Sequence, residues 1–247
     1  MRILISGYCG QMGREIARLA AGRNIEVACG VDVNAPENDP VCVRSFDEVT
    51  VPVDCVVDFS FHTNAFAVTD FAVKNNLPLA MGTTGLTQEE KAAVEAASEK
   101  IPVLFTSNFS LGVALMNELV KIAARVMPDT EIEIIEAHHN RKADAPSGTA
   151  ATLAESIISV RPELHVNCGR SGMCKRQPDE IGVNSIRMGN IVGMHEVMFG
   201  TENQTITIKH EAHSRSLFTE GALSAAVFLC GKAPGAYTMQ DLVEGSL

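Results

Sequence analysis

From residue 3 to residue 105, short apolar runs alternate with segments of helical periodicity. The strand-like runs are residues 3–5, 25–33, 53–59 (VDCVVDF), 77–81 and 102–105. Helical patterns fill residues 11–21, 61–74 and 87–100, the last opened by Thr87 with Glu90 three residues later, a helix-start signature. Short connections between such elements force sequential strands to lie parallel, with helices on both faces of the sheet. Beyond residue 108 the pattern changes. A helix over 112–126, closed by Pro128, leads to the alternating run EIEIIEA at 131–137 and a serine-capped helix at 147–159. Residues 161–180 read as a polar loop. Runs at 183–188, 193–199 and 204–210 read as consecutive antiparallel strands, and 218–230 as a final apolar helix. The chain is therefore expected to be α/β, with two domains meeting near Asn108. Its 247 residues suffice for two small cores.

Composition removes several function classes. No apolar run approaches the roughly 18 residues a membrane helix needs. The net charge of −10 repels phosphate backbones, so nucleic acid is not expected as a partner. The seven cysteines form no CxxC pair, and the opening MRILISGYCG is too short an apolar run for a signal peptide. They are expected to be reduced thiols in a cytoplasmic protein.

Gly7, Gly10 and Gly13 fall directly after the first strand and before the first helix. Glycine permits the tight turn and the close approach of a pyrophosphate, and the helix start offers N–H groups to it. The spacing is G-x-x-G-x-x-G, one place off the usual dinucleotide fingerprint. No G-x-x-x-x-G-K-[ST] occurs, which argues against a nucleoside triphosphatase. Asp32, nineteen residues after Gly13 and at the end of the second strand, stands where an acid accepts from ribose hydroxyls. Val33 follows it with no adjacent cation, so a 2′-phosphate is disfavoured. NADH is expected to be preferred, with NADPH possible and Arg14 able to soften the preference. Gly82-Thr83-Thr84-Gly85 and Thr106-Ser107-Asn108-Phe109 follow the fourth and fifth strands. They belong on the same rim, where a doubly wound sheet binds its ligand.

An acidic chain holds one dense basic cluster, His138, His139, Arg141 and Lys142, followed by Asp144, Pro146, Ser147, Gly148 and Thr149. Histidines can move protons near neutral pH, and the helix start at Ser147, Gly148 and Thr149 can receive a carboxylate. Adjacent residues on a strand face opposite ways, and no third ligand stands at useful spacing, so no metal is expected. The cluster suits a small carboxylated substrate that takes up a hydride and a proton.

The run EAHHNRKADAPSGTA, with GYCGQMGRE near the start, DFS at 58–60, GTTG at 82–85 and SNFSLGV at 107–113, resembles the 4-hydroxy-tetrahydrodipicolinate reductase (dihydrodipicolinate reductase) family of the lysine pathway. The resemblance spans essentially the whole chain. It implies a Rossmann-type doubly wound parallel sheet over 1–108 and 217–247. It also implies a second α+β domain over 109–216, with a mixed sheet that binds substrate and joins a homotetramer. The implied reaction is hydride transfer from a reduced nicotinamide to C4 of a cyclic imine dicarboxylate, the dehydrated form of hydroxy-tetrahydrodipicolinate. By position in the motif, His138 would be proton donor and acceptor and Lys142 the second proton donor. His139, Gly148 and Thr149 would contact substrate. Gly7, Tyr8, Cys9, Gly10, Gln11, Met12, Asp32, Gly82, Thr83, Thr84, Thr106, Ser107, Asn108 and Phe109 would take the cofactor positions. Two departures stand out: Val33 and Phe61 occupy places where family members can carry arginine. Two other readings compete. A two-domain aspartate or homoserine-type dehydrogenase would share the first half but lack the HHNRK-to-SGT run. A silent NAD-binding sensor would be favoured by loss of His138 or Lys142, and both are present. If cofactor and substrate lie on different domains, the chain is expected to hinge near Asn108 and Ser216.

Overall fold

In a computed structural model of the protein, residues 1–246 are described, and they divide into two compact units. Residues 1–111, rejoined from Ser216 onward, form the first, and 112–215 form the second.

The first unit begins with β1 (Arg2–Ser6), α1 (Gln11–Ala20), β2 (Glu26–Val31), β3 (Cys42–Val43), β4 (Cys55–Asp58), α2 (Ala65–Lys74), β5 (Leu79–Met81), α3 (Gln88–Ser98) and β6 (Pro102–Phe105). The second unit holds most of α4 (Leu111–Val126), then β7 (Glu131–His138), α5 (Gly148–Ile158), β8 (His165–Cys168), β9 (Glu180–Arg187), β10 (Gly193–Gly200) and β11 (Thr205–Ala212). The chain then returns to the first unit as α6 (Ser216–Leu229), β12 (Gly235–Tyr237) and α7 (Met239–Glu244).

The first sheet has seven strands in the order β12-β6-β5-β4-β1-β2-β3, and every neighbouring pair is parallel. From β6 to β3 this is a doubly wound dinucleotide order, whose ligand crevice opens between β1 and β4 at the carboxyl ends. Its central strands read as continuous apolar runs because both faces are covered. Ile3, Leu4, Ile5, Val56 and Val57 are fully buried. Thr87 and Glu90 form the expected capping box. The Thr87 hydroxyl accepts from the Glu90 N–H (3.2 Å), and the Glu90 carboxylate accepts from the Thr87 N–H (2.7 Å).

The second sheet is mixed, with strands in the order β11-β10-β7-β9-β8. Along β7, Ile132 and Ile134 face inward while Glu131 and Glu133 stay accessible. The buried face packs on α4 and α5 through Met116, Val120, Leu153 and Ile157. Two expectations fail here. The polar stretch at 161–180 contains β8, a mostly exposed edge strand without the apolar alternation that marks a half-buried one. The last three strands are not a consecutive antiparallel set. Only β10 and β11 form a hairpin; β7 inserts between β9 and β10, and β9 runs parallel to β7 and β8. Among the described residues no helix is long and apolar enough to cross a membrane.

Candidate active site

Gly7 directly follows β1, in the left-handed region (φ 80°). A Cβ there would meet the Phe59 carbonyl oxygen at 2.5 Å, and a Cβ at Gly13 would collide with the Gly7 carbonyl. Glycine is required at both places, and the turn they make drops directly into α1. That helix has Gly10 as its N-cap with no side-chain cap, so its first N–H groups face outward around Gln11 and Met12. Asp32, just past β2, accepts from the Cys9 N–H (2.9 Å) and the Asn34 N–H (2.9 Å), which fixes its carboxylate beside the glycine turn. Gly7, Cys9, Gly10 and Asp32 line a groove of about 1150 Å³. A cradle cleared of Cβ atoms, an open helix start and a fixed acid fit the pyrophosphate and ribose of a dinucleotide.

The other predicted cofactor residues divide by accessibility. Tyr8 packs its ring against Gly30. Thr84 and Ser107 are exposed, and Gly82, Thr106 and Asn108 are half-buried. Thr83 is buried, and its hydroxyl donates to Asp58 Oδ2 (2.5 Å). The Phe109 side chain is buried against Phe59. These two secure the rim from beneath. Asp58 is fully buried, and burial pushes its carboxyl up against the pull of hydrogen bonds from Ser60, Thr83 and Ser6.

In the second unit, His138 closes β7. Its Nδ1 lies 2.6 Å from Glu136 Oε2, two residues back on the same strand face. Glu136 is fully buried and also accepts two bonds from Arg187 of β9 (2.8 and 2.6 Å) and the Ser147 N–H (3.1 Å). Burial, the largest single influence, pushes the Glu136 carboxyl up. The hydrogen bonds from Arg187, Ser185 and His138 together outweigh it and hold the group at about 2. Arg187 further donates to the Asp144 carbonyl (2.5 Å), and Asp144 pairs with Lys142 (2.9 Å). Ser147 is the N-cap of α5, its hydroxyl accepting from the Ala150 N–H (3.2 Å). Both its N–H and its hydroxyl are thus engaged within the protein. Gly148 next to it is exposed and Thr149 half-buried.

Three contributors escaped sequence reasoning: Glu136 as a partner of His138, Arg187, and His195. His195 Nε2 lies 3.0 Å from the Ser147 hydroxyl, and its ring meets His138 edge-on at 5.2 Å between centroids. Burial, aided by neighbouring His138, pushes His195 down to about 4. His139 is also lowered, by burial first and then by Arg141 and Arg215. A glutamate two places before a histidine on one strand was a readable signal. Arg187 and His195 reach the site only through the register of β9 and β10, where they lie beside His138 and Glu136. Gly193, also on β10, leaves space: a Cβ there would sit 3.2 Å from His138 Nε2.

Similarity to known proteins agrees from end to end. The family described as "Dihydrodipicolinate reductase, N-terminus" matches residues 1–109, and "Dihydrodipicolinate reductase, C-terminus" matches residues 112–243. A protein of Caldanaerobacter subterraneus subsp. tengcongensis named 4-hydroxy-tetrahydrodipicolinate reductase is 44% identical, over 99% of this chain and 98% of its own. One of the same name from Alkaliphilus oremlandii is 44% identical over 99% of each chain. A solved dihydrodipicolinate reductase from Paenisporosarcina sp. TG-14, bound to dipicolinate, superposes with a TM-score of 0.80 at 27% identity, covering 96% of this chain and 97% of that one. An aspartate dehydrogenase from Thermotoga maritima shares the fold alone, with a TM-score of 0.50 at 15% identity over 94% of this chain and 98% of its own. The chain therefore belongs to the dihydrodipicolinate reductase family, whose members use a nicotinamide cofactor.

Proposed function

We propose that this protein catalyses the NAD(P)H-dependent reduction of the dehydrated form of 4-hydroxy-tetrahydrodipicolinate to tetrahydrodipicolinate, in lysine and diaminopimelate biosynthesis. One observation carries the reading. The HHNRKADAPSGT run, in a chain whose relatives bear that name over their full length, folds so that Glu136 ties His138, the loop of Lys142 and the start of α5 together. In this reading residues 1–108 and 217–247 hold the cofactor, and 109–216 hold the substrate.

When bound, the reduced nicotinamide supplies the hydride. The chain's own residues do the rest. The glycine turn and α1 receive the pyrophosphate, Asp32 takes the ribose, and the rim loops at Gly82–Thr84 and Thr106–Asn108 orient the nicotinamide end. Gly148 and Thr149 receive a substrate carboxylate at the start of α5, with His139 beside them. Ser147 shapes that start as its cap. His138, exchanging a proton through Nε2, and Lys142, the second donor group, between them deliver the one proton that accompanies the hydride. NADH is the preferred cofactor in this reading: Val33, 81% exposed, follows Asp32 without a cation. Arg14, Arg44 and Lys74 line the same groove and keep NADPH usable. A clear NADPH advantage in KM refutes the preference.

The free cysteines support a reducing compartment, the cytoplasm. The outer face of the second sheet, with Ile135, Met194 and Met198 half-buried and Ile186 41% exposed, supports assembly into a homotetramer. Native mass spectrometry that finds a monomer rules that out. The deciding experiment follows NADH oxidation with substrate generated in situ by the preceding synthase from pyruvate and aspartate semialdehyde. Lys142→Ala is expected to lower kcat by about 10²–10⁴ with NADH affinity intact, as loss of a general acid does. Near-full turnover in that variant refutes the assignment of Lys142. No oxidation with either cofactor, in protein that binds NADH, moves the reading to a silent sensor.

A further inference from the structure

Glu136 does more than balance a buried charge. Its two oxygens serve His138 Nδ1 (2.6 Å), both Arg187 Nη groups (2.8 and 2.6 Å) and the Ser147 N–H (3.1 Å). Each of those partners belongs to a different functional part: the histidine ring, the loop of Lys142 held through Asp144, and the first turn of α5. A buried ion pair is rarely better for stability than apolar packing of the same volume. Its retention here, with every oxygen engaged, points to what it holds in place. We propose that Glu136 and Arg187 are a positioning pair that fixes which nitrogen of His138 exchanges the proton and sets the Lys142 loop and the α5 start around it. The proposal rests on the reading of His138 given above.

The chemistry is direct. An ionised carboxylate can only accept, so the hydrogen in the 2.6 Å contact is on Nδ1. Nε2 is then the nitrogen with the lone pair, and it points at the space that Gly193 leaves open. Arg187 spends its charge on the same carboxylate. It thereby holds the carboxylate in the orientation in which one oxygen meets Nδ1. Other groups also face the ring. His195 of β10 meets it edge-on, and His139, Arg141, Lys142 and Asp144 stand in the loop that follows it. None of these makes a hydrogen bond to Nδ1, so the tautomer is the carboxylate's to set.

The test reads the tautomer itself. In ¹⁵N-histidine-labelled wild-type protein without ligands, the His138 signal, identified by its loss in His138→Gln, is expected to show the Nδ1–H form. An Nε2–H form overturns the proposal, and this measurement needs no fragile variant. Glu136→Gln keeps the side-chain size but can donate to Nδ1. It is expected to shift the population toward Nε2–H and to lower kcat by about 10²-fold, with KM and the NADH Kd changed by less than about threefold. Unchanged kcat and spectrum refute the proposal; so does a fall in kcat that follows a general loss of the folded fraction, with the tautomer unaltered. The His138→Gln protein separates the two claims. Normal turnover in it overturns the role given to His138, whatever the tautomer is found to be.

Discussion

His195 should make the second unit acid-labile. The residue is 4% exposed, its Nε2 is engaged by the Ser147 hydroxyl at 3.0 Å, and its Nδ1 has no partner among the described residues. A proton on His195 would therefore bury a charge whose cost the nearby Glu136 carboxylate offsets only in part. Burial holds the folded group at about 4, against an ordinary 6.5. The sign follows. Between those values the unfolded chain binds the proton and the folded one does not, so stability is complete above pH 6.5 and falls as the pH drops toward 4. At about 1.4 kcal/mol per pH unit, the whole window is worth about 3 kcal/mol, of which about 2 kcal/mol is lost by pH 5. Glu136, held at about 2 against an ordinary 4.5, adds its own loss only from about pH 4.5 downward, within that window's acid half and below it. His139 and His210, both lowered chiefly by burial, tilt the curve the same way. The informative quantity is thus the difference between wild type and His195→Phe, which keeps the edge contact with His138 and removes the titration. The chain has no tryptophan, so urea unfolding is followed by far-UV circular dichroism, with hydrogen exchange of β10 peptides assigning the loss to the second unit. The wild type should lose about 2 kcal/mol more than the variant between pH 7 and pH 5. Parallel curves would refute the reasoning.

Gly193→Ala puts a methyl group 3.2 Å from His138 Nε2. Obstruction of the proton-exchanging nitrogen is expected to lower kcat by about 10-fold or more in the coupled assay, with the melting temperature nearly unchanged; unaltered kcat shows that Nε2 does not face the reaction. Thr87→Ala removes the hydroxyl that caps α3 and is expected to lower the stability of the first unit by about 0.5–2 kcal/mol in thermal denaturation, while Thr87→Ser restores it. Equal stability of all three proteins shows that the capping box contributes nothing.

Local signals carried most of the fold. The Thr87–Glu90 box, the strand at Pro102–Phe105 and the serine cap of α5 depend on neighbours in the chain, and each is where its residues place it. The pairing of β9 was not legible, because parallel contact with β7 is chosen by a crossover of more than forty residues and leaves no mark in either strand. β3 and β12, at two and three residues, are too short to show a period. The site divides the same way. The basic run and the glycine turn announce themselves as strings of residues. Arg187 and His195 look like ordinary strand residues until the register of β9 and β10 brings them against His138.

The return of the chain end to the first sheet has a consequence for the order of synthesis. α6 packs on α1 and over β4, β5 and β6, and β12 completes the sheet beside β6. Both elements are made after the whole of the second unit. A ribosome has therefore synthesised every residue of the second unit before Ser216–Leu229, the cover of one sheet face, exists. During that interval 112–215 have all their partners, while 1–111 present a bare apolar face. A chain stopped at residue 215 holds that state permanently, with a finished second unit attached to a sheet that lacks its lid. The nascent protein thus spends its longest exposure on the half that carries the glycine turn.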